Sequence, residues 1–379
     1  MRKPRSGRAR FRSSKWEPIV YCALSLAGVA AAVLLVIFVV IPFVADLFAP
    51  LPTVRYTPSS FKESVEVETK PEIQEEDLSS LQNEARINYN TINDPYLFGD
   101  SIVFSTASVK NGVSVYDTVV VHNIETQKDK RISVTVKYEN LINFVMNDRY
   151  IVWCDAASDN GGRICGYDRE TGSQFAIKDY VFAAPEITMS GDVICFMQQA
   201  GDDLDRLYLF DLRTRESLTY KVFSGLGAKP TAADISGDTI VYAIPSEDKG
   251  YDIISADIST GNERVIPTGK DVYEPKTNGG DIAFLSGVGA PTDLYLMDGQ
   301  TAILVDSGVA NFDMCDAGIV YTKDEAVYLY KKDEKRSIRI NSSITRAYLA
   351  EANGENICWY DITGGYGGTD VVKYAKMEG

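Results

Sequence analysis

Between residues 99 and 360 apolar runs and polar turn residues alternate in a repeating order. A Gly, Asp or Asn turn is followed each time by a short apolar run that ends on an aromatic ring. The closing rings are Phe104, Trp153, Phe196, Tyr242, Phe284, Tyr321 and Trp359, spaced 49, 43, 46, 42, 37 and 38 residues apart. Short runs of this kind, bounded by turn residues, read as strands. A strand-built period of about 40 residues is the sequence mark of a β-propeller.

Each period divides into four strands. In the third, residues 183–189 form an inner strand and 190–192 a tight turn; 193–197, 206–211 and 217–222 complete the unit. The third strand recurs at 118–123, 163–168, 252–257, 293–298, 326–330 and 370–374. Asn123, Asp168, Asp211, Asp257 and Asp298 close five of these runs, and Thr171-Gly172, Thr214-Arg215 and Thr260-Gly261 follow three of them. A short side-chain acceptor ahead of such a pair is an Asx turn, which is a structural task. The last period ends after its third strand, while residues 86–91 form a β-like stretch ahead of the first. That stretch is expected to complete the final sheet and leave no open edge. The fold predicted is all-β, a seven-bladed β-propeller; the short unit around 318–340 leaves six or eight blades open.

The order of a Gly-Asp turn, an apolar strand ending on an aromatic, a Tyr-x-x-Asp strand and a Thr-Gly turn resembles TolB-like and WD-like bacterial propeller repeats. The resemblance covers residues 86–379. The Ser-Pro-Asp-Gly turn of TolB repeats is reduced here to Ser-Gly-Asp at 190–192 and 236–238, and the Trp-Asp dipeptide of WD repeats is absent. The resemblance implies an interaction scaffold and carries no family site onto this chain.

Ahead of the repeats, residues 18–45 hold 28 positions without a charge. The 22 residues from Ile19 to Val40, helical at about 1.5 Å each, span roughly 33 Å, enough to cross a bilayer. This run is too long for the apolar region of a cleaved signal peptide. Seven basic residues in 1–17 place the N-terminus in the cytoplasm by the positive-inside rule. The predicted order is a basic tail at 1–17, a membrane signal-anchor at 18–46, an acidic stalk at 47–85 with a short helix around 73–85, and an extracytoplasmic propeller at 86–379.

Charge sharpens the partner classes. Net charge is −15 overall; without 1–17 the chain has 31 basic and 52 acidic residues, a balance of −21. An acidic body excludes binding nucleic acid through its phosphates. It suits solubility, cations or basic partners. The five cysteines beyond the membrane segment are odd in number and hold no Cys-x-x-Cys; Cys154 and Cys165 flank one hairpin, so a disulfide between them is open.

Catalytic inventories fail. The one histidine, His122, lies in a third strand and reads as a packed strand residue. No nucleophile elbow, phosphate loop or dinucleotide fingerprint occurs, and no catalytic or metal residue is assigned. The candidate binding face is the set of loops between second and third strands, at 106–112, 155–162, 198–205, 245–251, 286–292, 323–325 and 361–369. Its acidic residues are Asp155, Asp159, Asp202, Asp203, Asp205, Glu247 and Asp248, a set that suits a cationic ligand or, weakly, Ca²⁺. Tyr366 sits on a glycine-rich tip and is a contact candidate. The expected function is non-catalytic binding of a protein, peptide or cell-wall glycan, with no cofactor. The alternatives are a polysaccharide hydrolase or lyase using Asp155, Asp202 or Asp205 as acid and base, and a membrane-anchored sensor.

Overall fold

The computed structural model describes residues 73–74, 81–87, 89, 91–138, 140–157, 160–226, 228–247, 250–287, 292–363 and 371–377. The expected tail and membrane segment lie outside the described residues. Among the described residues no helix is long and apolar enough to cross a membrane.

Two short strands come first, β1 (Ile73–Gln74) and β2 (Gln82–Ala85). Four sheets of four strands follow in chain order. They are β3 (Asn93–Phe98), β4 (Ser101–Lys110), β5 (Val113–Asn123) and β6 (Lys128–Ile132); β7 (Leu141–Met146), β8 (Tyr150–Ala156), β9 (Gly162–Asp168) and β10 (Ser173–Tyr180); β11 (Ile187–Ser190), β12 (Val193–Gly201), β13 (Leu204–Asp211) and β14 (Glu216–Ser224); and β15 (Asp234–Ser236), β16 (Thr239–Pro245), β17 (Tyr251–Asp257) and β18 (Glu263–Lys270). Next come β19 (Val272–Asn278), β20 (Asp281–Ser286), β21 (Thr292–Asp298), β22 (Thr301–Cys315), β23 (Gly318–Lys323), β24 (Ala326–Lys331) and β25 (Arg336–Arg339), in one sheet with β1 parallel to β25 at its edge. The last sheet holds β26 (Ala347–Asn353), β27 (Asn356–Asp361) and β28 (Val371–Lys376), completed by β2 antiparallel to β28.

The architecture is therefore an all-β propeller, with one correction. The repeat predicts seven separate blades, and the structure has five four-stranded sheets and one sheet of eight strands. The joint is β22, which pairs with β21 from Thr301 to Val309 and with β23 from Val309 to Cys315. The spacing from Phe284 to Tyr321, 37 residues, is the shortest in the chain. It leaves no loop between the two units, so one strand serves both and bends at Gly308, whose φ is 81°.

Of the segment expected as stalk, 47–85, residues 73–74 and 81–85 are described. There Ile73–Gln74 and Gln82–Ala85 are strands and Leu81 is a 3₁₀ position, while 75–80 lie outside the described residues. The closing strand lies at Gln82–Ala85, four places before the predicted 86–91. Its sequence, QNEA, has no strand-forming residue; the unpaired edge of β28 makes it a strand, which is tertiary context overriding propensity.

The core lies between adjacent sheets. Val152, Cys154 and Ile164 of the second sheet pack against Ile194, Phe196 and Tyr208 of the third, while Trp153 and Cys165 face back to Val103 and Val121 of the first. Cys154 and Cys165 therefore point to opposite faces of one sheet, and both are buried free thiols; the disulfide left open by the sequence does not form.

Third-strand turns behave as the sequence implies. Asp168 Oδ1 accepts the N–H groups of Glu170 and Thr171 at 3.0 and 3.2 Å. Asp211 Oδ1 accepts those of Arg213 and Thr214 at 2.7 and 3.0 Å. The expected second-to-third loops are shorter than predicted. The first is a hairpin tip at Asn111-Gly112, both with positive φ, the geometry of a primed hairpin turn. The third is reduced to Asp202-Asp203 between β12 and β13.

Candidate functional site

In a propeller the first strand of every unit lies nearest the axis. Each first strand ends at a turn that starts at Gly99, Asp148, Gly191, Gly237, Gly279, Asp316 or Gly354. Three residues before those turns stand Tyr96, Val145, Thr188, Asp234, Lys276, Asp313 and Glu351, and all of them line one cavity of 540 Å³. Five residues before stand Asp94, Asn143, Glu186, Ala232, Glu274, Asn311 and Leu349. Of this second set, Asp94, Asn143 and Glu186 also line the cavity. The cavity is an axial channel lined by the whole first set, the lower tier, and by those three of the second set, the upper tier.

The second set is irregular. Asp94, Asn143, Glu274 and Leu349 have φ of 52°, 55°, 54° and 48°, and the pairing register slips at each of these places. Asp and Asn tolerate this left-handed conformation; at Glu274 and Leu349 it costs about 1–2 kcal/mol.

Charge in the channel is one-sided. Five carboxylates line it, Asp94, Glu186, Asp234, Asp313 and Glu351, and a sixth, Glu274, lies beside Lys276, the one cation among the described lining residues. Its Nζ lies 3.1 Å from Asp313 Oδ1 and 3.5 Å from Glu274 Oε1, and its side chain keeps 20% exposure.

Four of the carboxylates have a structural task. A first strand is an edge whose outer N–H groups face the channel and need acceptors. Asp94 Oδ2 accepts the Asn143 N–H, Asp234 Oδ2 that of Thr277 at 2.8 Å, and Asp313 Oδ2 that of Ala352 at 2.9 Å. Glu351 Oε2 accepts the Leu97 N–H at 3.3 Å, tying the last unit to the first. These bonds hold the carboxylates rigidly around the axis.

Enclosure raises the acids. Burial, reinforced by Asp313 and Asp94 against the opposing pull of Lys276, pushes Glu351 up to about 8. Burial pushes Asp234 up to about 7 despite Lys276 and the Thr277 N–H. Burial also raises Asp94 against two backbone N–H groups, and raises Glu274 against Lys276. For Lys276 burial acts the other way, but Asp313, Glu274, Glu186 and Asp234 outweigh it and hold the ammonium protonated.

The described residues of the predicted binding face stand elsewhere. Asp155 is buried inside β8, and its two oxygens accept the N–H groups of Lys137 and Tyr138 at 2.6 and 2.9 Å, so it fixes the chain ahead of β7. Asp202 and Asp203 are exposed on one hairpin tip, where Asp203 accepts the Gly225 N–H at 3.0 Å. Asp205 is buried in β13 and raised by burial, opposed by Lys229 and reinforced by Asp203. Glu247 is exposed. None of these lines the axial cavity. Asp159, Asp248 and Tyr366 lie outside the described residues. His122 is a buried strand residue with Nδ1 2.7 Å from Asp129 Oδ1. Among the described residues no group of three His, Cys, Asp or Glu is arranged to hold a metal.

The channel acids were readable in principle. An acid two places from another polar residue, three or five before a turn, is out of character for a buried strand and recurs in most units.

No family model matches the chain. No curated protein matches it in sequence. Among solved structures it is similar to the β-propeller domain of the Trilobed protease from Pyrococcus furiosus, with a TM-score of 0.58 at 15% identity over 76% of this chain and 93% of that one. It is similar to an oligogalacturonate lyase from Vibrio parahaemolyticus, with a TM-score of 0.55 at 11% identity over 81% and 97% of the two chains. It is also similar to the acylaminoacyl peptidase of Pyrococcus horikoshii, with a TM-score of 0.54 at 16% identity over 76% of this chain and 51% of that one. At these identities the likeness shows the propeller fold alone.

Proposed function

We propose that this propeller is a non-catalytic binding module whose axial channel receives a cationic group from a protein or peptide partner. The carrying observation is the set of five carboxylates that line a cavity of 540 Å³ around one lysine, with Glu274 beside that lysine. Backbone N–H groups hold four of them in place, so little ordering is left to binding. In this reading the eight-stranded sheet counts as two blades sharing β22, giving a seven-unit ring. Residues 18–46 anchor it to a membrane, supported by the 28 uncharged positions at 18–45. An anionic glycan is disfavoured by the same charges.

Because burial raises the channel acids, an entering cation displaces protons, and binding tightens as pH rises. Calorimetric titration of the full chain with lysine-containing peptides should give several-fold tighter binding at about pH 8 than at about pH 6. Glu351→Gln should weaken binding at the higher pH. Equal affinity at both pH values, with no effect of the variant, rejects the channel as the site.

One observation favours an enzyme as second reading. A carboxyl group raised to about 8 beside other acids in a concave cavity is an acid–base arrangement. Cleavage of a polysaccharide by the wild type but not by Glu351→Gln would support it.

A further inference from the structure

Strand alternation defines the two faces of the ring. First strands begin, and second strands end, on one face; the turns at Gly99, Gly191 and Gly354 lie on the other. Large exposed hydrophobic residues are not shared evenly between them. On the first face stand Val109 and Val113 at the β4–β5 hairpin, Val181 after β10, Tyr273 at the start of β19, Ile344 before β26, and Tyr348 with Leu349 at the start of β26. Only Leu81 and Leu218, among the described residues, lie toward the opposite side. Ile344 is 83% exposed and Val181 73%. Apolar side chains gathered on one rim mark an interaction surface.

Leu349 adds a second observation. It is half-exposed and left-handed, a conformation that L-residues avoid. It stands two residues before Glu351, which lines the acidic channel. Two exposed cations on this face are paired with carboxylates, whereas Lys137 and Lys229 bond the Tyr138 hydroxyl and the Gln199 amide oxygen. Lys110 is paired with Asp117 at 2.9 Å, and Arg346 with Glu325.

We infer that this face docks a polypeptide segment in which apolar side chains flank a lysine or arginine, the apolar flanks lying on the rim and the cationic tip entering the channel. The inference rests on the channel reading above and names its partner. Charge complementarity selects the tip, and the apolar rim selects the flanks; a free small cation would use only the first.

The test uses the full chain and three short synthetic peptides. One has a central lysine between leucine and isoleucine residues, one has the lysine between glycine and serine residues, and one has the apolar flanks with norleucine at the centre. The apolar-flanked lysine peptide should bind about tenfold tighter than the polar-flanked one, and the norleucine peptide should bind weakest. The double variant Tyr273→Ser, Ile344→Ser changes two exposed residues. It should abolish the advantage of apolar flanks while leaving polar-flanked binding intact; Glu351→Gln should weaken both lysine peptides. Equal binding of the two lysine peptides, or a double variant that behaves as wild type, overturns the docking face and leaves the channel standing. Failure of every lysine peptide to bind overturns the channel reading and this inference with it. Displacement of a bound peptide by an uncharged oligosaccharide assigns the face to a glycan and overturns the polypeptide partner.

Discussion

The second strands and the first strands of this propeller obey different rules. Every residue of β8 from Tyr150 to Ala156 is buried. It lies inside a sheet that is covered on both sides, so neither alternation nor polarity is required of it. A first strand such as β19 has only one paired edge. It carries Glu274 and Lys276, slips register after Tyr273 and holds Glu274 left-handed. The second strands make the ring; the first strands, freed from pairing on one side, give the ring its chemistry. Substitutions should therefore separate into those that remove the fold and those that alter only the axis.

The largest effect belongs to the second strands. Trp153 is fully buried and packs against Phe144 at a ring separation of 6.4 Å. Trp153→Ala should cost about 3–5 kcal/mol, the usual loss for a large core aromatic, measured by denaturant unfolding. A loss under about 1 kcal/mol would mean that the sheets do not share a packed core.

Lys276→Met comes next and reports on the first strands. Losing the one cation among the described lining residues leaves Asp313 and Glu274 without their ion-pair partner in an enclosed place. A fully buried pair broken in this way costs several kcal/mol, but channel water screens this one, so about 1–2 kcal/mol is expected. Cation binding should strengthen at the same time, because the channel loses its internal counter-ion. Stability and affinity moving in opposite directions would separate the axis from the core; a parallel fall in both would merge them.

How much of this was legible follows the same division. The apolar runs and their turn residues marked the second and third strands, because burial on both faces and tight turns each demand particular residue types. The Asx turns at Asp168 and Asp211 were readable from residue order alone. The closing strand was misplaced because Gln82–Ala85 has no strand-like composition and pairs only because β28 offers an edge. The shared strand β22 was hidden because a missing loop leaves no mark except a short spacing. The channel was missed because acids in a strand next to a turn look like turn polarity until the ring brings them together. The loop acids were favoured for their exposure, yet Asp155 and Asp205 are buried.

Glu351→Gln gives a smaller effect whose sign depends on pH. The folded carboxyl sits at about 8 against an ordinary value of 4.5. The folded state therefore holds the proton more tightly than the unfolded chain does. That advantage is fully present below the ordinary value and is lost as pH rises through the folded value. Wild-type stability should fall between about pH 5 and about pH 9, by about 1 kcal/mol or more from this group once channel water is allowed for. The glutamine variant, still able to accept the Leu97 N–H, should show a shallower slope and exceed the wild type at the alkaline end. Identical slopes in thermal melts of the two proteins would remove Glu351 from the raised acids.

The smallest effect is expected on the predicted binding face. Asp202 and Glu247 are exposed, and no ion pair among the described residues involves either. Exposed charges interact through water and are screened within about 8–10 Å at ordinary salt. The double variant Asp202→Asn, Glu247→Gln should change stability by less than about 0.5 kcal/mol and cation affinity by less than about twofold. The comparison with Glu351→Gln is the useful reading, since both variants remove carboxylate charge and differ in enclosure. If the loop variant weakens cation binding more than the channel variant does, the chemistry lies on the rim, and the first strands are polar only because their edges need acceptors.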